Sequence, residues 1–171
     1  MDYRLTKLLV AFFAFPLILT AQPRHCKGLD MAGVGYGTGS FQKSLFISYQ
    51  RYLSNRMGLK GSAEYSKVNF RVSDYSSFAI LPEVNYTIFS NYRNLYLNAK
   101  AGGILGFEKI SNEAFGNKTA TYLGESIGAS CEIFISHNLK SEVGVEQRFL
   151  QKSLITNYYT HYYLSFYYAL N

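Results

Sequence analysis

The sequence has few charged residues, two cysteines, three histidines and no tryptophan. Charged residues make up 16% of the 171 positions, below the roughly 25% of an ordinary soluble domain. Histidine and cysteine do not occur at the spacing of a metal site, so we predict no metal and no cofactor. The formal net charge is +6, yet lysine and arginine form no run. We therefore expect no direct nucleic-acid binding.

Long apolar runs are also absent, apart from one near the N-terminus. Leu8–Leu19 is apolar, follows two basic residues and ends shortly before the small residue Ala21. This pattern predicts a cleaved signal peptide over residues 1–21 and a single domain over residues 22–171. A transmembrane anchor is the alternative, although the run is short against the roughly 20 residues of a spanning helix. Elsewhere in the chain, a membrane span would have to be a strand.

Aromatic residues and period-two alternation are what the sequence has in abundance. It contains 16 Tyr and 13 Phe. In the stretch Leu95–Glu108, every second residue from Leu95 to Phe107 lacks a polar side chain, while the opposite face carries Asn98 and Lys100. Alternation over this length predicts a strand. One apolar face and one small polar face are typical of a barrel wall between lipid and a filled interior.

The same alternation recurs along the chain and predicts eight strands: Leu29–Gly37, Ser44–Leu53, Met57–Arg71, Phe78–Phe89, Leu95–Glu108, Thr121–Ile135, Leu139–Leu150 and Tyr158–Asn171. Short turns alternate with longer polar connections, predicted at Thr38–Lys43, Val72–Ser77, Ile110–Ala120 and Gln151–Asn157. Pro82 predicts a bulge, and the glycines of the first strand leave its facing open. An even strand count with this asymmetry is typical of outer-membrane barrels. We predict an all-β, eight-stranded antiparallel up-and-down transmembrane barrel of the outer-membrane type, surrounded by outer-membrane lipid.

Charged positions test the phase of these strands. A charged side chain facing lipid costs about 2–4 kcal/mol at the midplane but little near the rims. Polar exceptions on the predicted lipid face fall near strand ends: Arg51, Lys67, Asn69, Glu125 and Gln147. Charges deeper along the strands fall on the inward face, where they must be paired. We predict a structural charge network in the lumen, formed by Glu64, Glu83, Lys100, Glu132, Glu142, Glu146 and Arg148, with Lys60 and Lys140 beside them. A proton or ion path through it is the alternative.

No catalytic residue is predicted. His161 and Ser165 share a face, but the strand phase turns that face inward, away from any lipid substrate. A barrel-embedded enzyme that modifies lipid remains an alternative, as does a secreted ligand-binding barrel, against which the charged inward face argues. A bridge between Cys26 and Cys131 is possible after export. Because Cys131 falls on the predicted lipid face, a free thiol is the preferred interpretation.

Several stretches resemble a known family. They are GSAEY at Gly61–Tyr65, LNAKAGGILGFEKIS at Leu97–Ser111, GESIGASCEIFIS at Gly124–Ser136 and EQR at Glu146–Arg148. In these stretches the chain resembles the conjugative transposon TraO family, small exported barrels encoded with conjugation machinery. The resemblance implies an outer-membrane component of a conjugative DNA-transfer apparatus, with other apparatus proteins as partners. The alternative function is a general small outer-membrane barrel for adhesion or envelope integrity.

Overall fold

The computed structural model describes residues 26–40, 42–69, 73–91, 93–112 and 116–170. The predicted signal segment, residues 1–21, lies outside them. Eight strands occur in the order β1 (Asp30–Gly39), β2 (Lys43–Tyr52), β3 (Met57–Asn69), β4 (Ser73–Ser90), β5 (Leu95–Asn112), β6 (Gly116–Phe134), β7 (Leu139–Gln151) and β8 (Tyr158–Ala169). Over this described part of the chain, no helix is long and apolar enough to cross a membrane.

The strands form a closed antiparallel barrel. Each strand pairs with its neighbour in sequence, and β1 also pairs with β8. Met31 lies opposite Ala169, so the start of β1 and the end of β8 meet at one end of the barrel, the end called here that of the termini. Closure pairs every strand on both sides and leaves no free sheet edge. The predicted fold class, an eight-stranded antiparallel up-and-down barrel, is confirmed.

The predicted long connections are wrong in part, because three strands run further than the alternation indicates. β4, β5 and β6 have 18, 18 and 19 residues, against 10 in β1 and β2. Most of the predicted connection Ile110–Ala120 is a hairpin in which β5 continues to Asn112 and β6 begins opposite it at Gly116. Beyond an apolar belt both faces of a hairpin meet water, so alternation disappears while the backbone ladder continues. These strands therefore project at the end opposite the chain termini.

The bulge is not at Pro82. Ile80 pairs with Leu105 and Glu83 with Gly102, so the register is the same on both sides of Pro82. The register shifts instead between Thr87 and Phe89, which makes Ile88 the extra residue. A proline removes one ladder donor without inserting a residue, so it need not change the register.

The glycines of β1 face the interior of the barrel. The sequence alone did not predict which face of this strand is inward. A Cβ atom at Gly33, Gly35 or Gly37 would meet the rings of Tyr167, Phe46 and His161, respectively. Val34, between these glycines, is 61% exposed on the outer wall. The glycine-rich strand thus makes room for rings that lie against the inner wall.

Candidate functional site

The outer wall of the barrel is apolar. Outward side chains along the strands are 41% to 64% exposed and belong to aliphatic and aromatic residues: Val34, Ile47, Ile80, Leu97, Leu105, Leu123, Ile127 and Phe166. Contiguous exposed apolar surface on this scale marks contact with lipid or protein rather than with water.

The inner wall is polar and charged. The structure places every residue predicted for the lumen network inside the barrel, each 5% exposed or less: Glu64, Glu83, Lys100, Glu132, Glu142, Glu146 and Arg148. Lys60 and Lys140 join them at 4% and 0%. Their positions follow from the strand phase, since residues two apart point to the same face.

The middle of the network is centred on Lys100. Its Nζ lies 2.8 Å from Glu146 Oε1, 3.2 Å from Glu83 Oε1 and 3.7 Å from Glu142 Oε1. Lys60 Nζ reaches two of the same carboxylates, Glu83 and Glu142, at 3.6 Å each. Two cations and three carboxylates from β3, β4, β5 and β7 are thus tied together across the barrel.

Toward the end that carries the termini, Lys140 forms a second layer. Its Nζ donates to Gln50 Oε1 at 2.6 Å and to Glu132 Oε1 at 3.0 Å. Tyr52 donates its hydroxyl to the other Glu132 oxygen at 2.8 Å. The ammonium also lies 4.2 Å from the centre of the Tyr167 ring, within the range of a cation–π interaction.

Toward the opposite end, Arg148 forms a third layer. Nη1 and Nη2 donate to the two oxygens of Glu64, each at 2.9 Å. Nε and Nη2 also donate to Glu146 Oε2 at 3.2 and 3.1 Å. This bidentate arrangement is the strong form of an arginine–carboxylate contact. Glu146 links this layer to Lys100.

Apolar clusters lie on both sides of the charged layers. One, near the termini and the adjacent turns, contains Met31, Tyr52, Tyr96, Phe134, Tyr167 and Ala169; the other, toward the opposite end, contains Ala79, Leu81, Ile104, Tyr122, Leu150 and Tyr159. The cavity left between Lys60, Glu83 and Arg148 is about 10 Å³, room for about one water. Through its described residues, the lumen is filled by side chains, as expected for eight strands.

Sequence reasoning missed the role of Glu108. This carboxylate is fully buried near the far end of the lumen, where it accepts from the Tyr75 hydroxyl at 3.1 Å and from Ser153 Oγ at 3.2 Å. The backbone N–H of Leu154 donates to its other oxygen. The connection between β7 and β8 is therefore fastened to the lumen. The alternation along Leu95–Glu108 indicates the inward direction of this side chain but not its partners.

A serine, a histidine and a carboxylate also meet in the lumen. His161 Nε2 lies 3.0 Å from Ser44 Oγ, and Nδ1 lies 3.9 Å from Glu146 Oε2. These residue types match a hydrolase triad. Ser44 is only 2% exposed and His161 fully buried, while Glu146 is engaged by Lys100 and Arg148. The arrangement has no described route to a substrate.

Metal ligands and a disulfide are not found among the described residues. No cluster of three or more His, Cys, Asp or Glu with metal-binding geometry occurs there. Neither Cys26 nor Cys131 forms a disulfide; Cys26 is exposed and Cys131 is half-buried in the outer wall.

Solved structures with a similar fold are outer-membrane barrels. The attachment invasion locus protein Ail of Yersinia pestis is 14% identical, with a TM-score of 0.61 over 84% of this chain and 99% of that protein. The N-terminal β-barrel domain of Pseudomonas aeruginosa OprF is 12% identical, with a TM-score of 0.62 over 84% and 98%. A major outer membrane protein of Thermus thermophilus is 8% identical, with a TM-score of 0.63 over 82% and 99%. No protein-family model matches the sequence. A search of curated proteins finds no match either.

Proposed function

We propose that this protein is a small outer-membrane barrel that acts as a membrane-anchored structural and interaction protein. The proposal rests on the polarity of the barrel wall, which is apolar on the outside and charged on the inside. Side chains such as Ile47 and Ile127 face outward, at 64% and 60% exposure, while Lys100 and Glu142 are buried within. A soluble barrel would need the opposite arrangement, because exposed apolar surface is stable only against lipid or a partner.

The filled lumen argues against a channel. The Lys60–Glu142 and Arg148–Glu64 ion pairs and the Lys140–Gln50 hydrogen bond cross the interior at different heights, and apolar clusters lie on either side of them. We therefore propose that function lies on the surfaces that face lipid and solvent. With the termini in the periplasm, the projecting ends of β4, β5 and β6 face outward from the cell.

Localisation tests the main proposal. We expect the protein in the outer-membrane fraction, with a gel mobility that changes on heating because a closed barrel resists detergent until boiled. Recovery as a soluble periplasmic protein would contradict it. Protease added to intact cells should cut between β5 and β6, whereas the turn at residues 135–138 should be protected.

A narrower proposal is a part in conjugative DNA transfer. It rests on the sequence resemblance to the TraO family over stretches such as Leu97–Ser111 and Gly124–Ser136. Deletion of the gene in a donor should reduce the number of transconjugants, and the intact gene supplied in trans should restore it. Undiminished transfer would favour the alternative, adhesion or envelope integrity. That alternative has support from a fold neighbour named for attachment and invasion.

We also propose that the protein has no enzymatic activity. The Ser44–His161–Glu146 arrangement is the observation that makes a lipid-modifying activity worth testing. We expect the mass of lipid A to be unchanged when the protein is overproduced. A new lipid A species that disappears in the Ser44→Ala variant would establish an enzyme instead.

A further inference from the structure

Two lysines face each other on the outer wall near its outward end. Lys43 begins β2 and lies directly opposite Lys67 of β3. Both side chains are exposed and point away from the lumen. Like charges directly opposite in a sheet destabilise it. Neither lysine forms an ion pair with another described residue. Asp74, the nearest outward carboxylate along the register, lies opposite position 69 rather than opposite Lys67.

The surface next to these lysines, toward the middle of the wall, is apolar and grooved. Two residues further along each strand, Leu45 faces Tyr65, and Tyr36 faces Leu45 from β1. These side chains and the two lysines line one open groove. Lysine ammonium groups and tyrosine rings thus lie at neighbouring heights, as in the interfacial layer of a membrane protein.

A larger groove continues along the same face of β1, β2 and β3. Its volume is about 800 Å³, and its walls include Ile47, Ala63, Phe78 and Phe166. Gly61, also in this groove, has open space where a Cβ would stand. Small residues between large ones recess the wall, and a recess with apolar lining suits an alkyl chain. The two grooves follow one another from the charged end toward the middle of the wall.

We infer that this face binds a phosphate-bearing glycolipid of the outer leaflet, with its phosphate between Lys43 and Lys67 and an acyl chain in the groove over Gly61 and Ala63. Cross-strand side chains begin about 4.5–5.5 Å apart, so both ammonium groups can reach one phosphate. The anion offsets the like-charge repulsion that the bare wall carries. The inference rests on the proposed outer-membrane location, since only a membrane supplies such an amphiphile at this height.

Native mass spectrometry of the barrel, extracted from membranes in non-ionic detergent, tests the inference. Diphosphoryl lipid A and the same lipid stripped of phosphate are titrated in parallel. The double variant Lys43→Gln/Lys67→Gln should bind the phosphorylated lipid about tenfold more weakly or worse, since contacts to charged groups are lost. The matched control Lys118→Gln/Lys152→Gln removes the same charge from exposed positions outside the groove, and should bind like the unaltered protein.

Different results would overturn the lipid site or the proposed membrane location. Equal weakening by both double variants would mean that net charge alone attracts the lipid, and would overturn the site. So would equal binding of the phosphate-free lipid. Soluble inositol hexakisphosphate, which has no acyl chain, should displace the lipid only at concentrations well above that of the lipid; binding as tight as that of lipid A would overturn the acyl part of the site. Ala63→Phe fills the groove without touching the lysines and should weaken lipid binding while heat-modifiable mobility is kept. A protein missing from the membrane fraction would refute the proposed location itself.

Discussion

Adjacent residues of each strand point to opposite faces of the wall, and the two faces place different demands on their side chains. On the outer wall, Ile47 and Leu105 need only be apolar, because lipid makes no directional demands. In the lumen, Lys100 and Glu146 need partners at defined distances, because an unpaired buried charge is costly. The outer wall should therefore tolerate exchange of one apolar residue for another, whereas the lumen should respond to the loss of a single partner.

Removal of Lys100 should produce the largest effect. Lys100→Leu leaves Glu83, Glu142 and Glu146 short of a positive charge, and breaking a buried pair costs about 3–5 kcal/mol. We expect that loss in the free energy of unfolding, measured by urea titration in lipid vesicles. Lys118→Leu, at an exposed position, is the control and should change little. A loss under about 1 kcal/mol at Lys100 would mean that the network does not stabilise the barrel.

The converse change places a charge on the outer wall. Ile47→Arg puts a guanidinium near the middle of the belt, at a residue that is 64% exposed to the surroundings. The expected cost is about 2–4 kcal/mol in a bilayer, against about 0–1 kcal/mol for Met57→Arg beside the turn at residues 53–56. Vesicle unfolding measures both. Equal costs at the two positions would show that Ile47 does not face hydrocarbon.

Glycines on the inner and outer faces differ in the space that surrounds them. A Cβ at Gly106 would meet the buried ring of Tyr122, whereas one at Gly61 would meet nothing within 4 Å. Gly106→Ala should cost about 1–3 kcal/mol through overpacking, and Gly61→Ala should stay within about 0.5 kcal/mol. Adding Tyr122→Leu should recover part of the Gly106→Ala loss. If the two alanine variants unfold alike, the close packing of the inner wall does not contribute to stability.

The alternation of the sequence was enough to predict the fold and the lumen charges. The two environments differ so strongly in polarity that a period of two survives along β5, and it places Lys100 inward. Strand ends were not predictable in the same way. Residues such as Asn112 and Gly116 pair above the belt, where water on both faces removes the pattern.

Specific partners in the lumen also lay beyond sequence reasoning. The alternation places His161 on the same face of β8 as Ser165, but the serine that His161 contacts is Ser44 of β2, across the glycine-lined β1. The binding of the Leu154 backbone by Glu108 depends on how the connection after β7 bends. Closure of the barrel and the course of a loop determine these contacts, and neither leaves a periodic signal.

The smallest expected effect concerns Glu108, at the end of the lumen opposite the termini, where it contacts the connection between β7 and β8. Glu108→Ala removes the acceptor for Tyr75, Ser153 and Leu154 but leaves the charged layers intact. The free energy of unfolding should fall by about 1–2 kcal/mol, because three donors at the barrel end lose one acceptor.

Local opening of that connection should become about tenfold more frequent, since one such contact is worth about 1–3 kcal/mol. Trypsin cleavage after Lys152, on the folded barrel, reports this opening. Glu125→Ala, which removes an exposed carboxylate from the outer wall, is the matched control and should leave cleavage unchanged. Glu108→Gln retains one acceptor oxygen and should fall between the two. Equal cleavage in all three variants would mean that the connection is held by its own turn and not by the lumen.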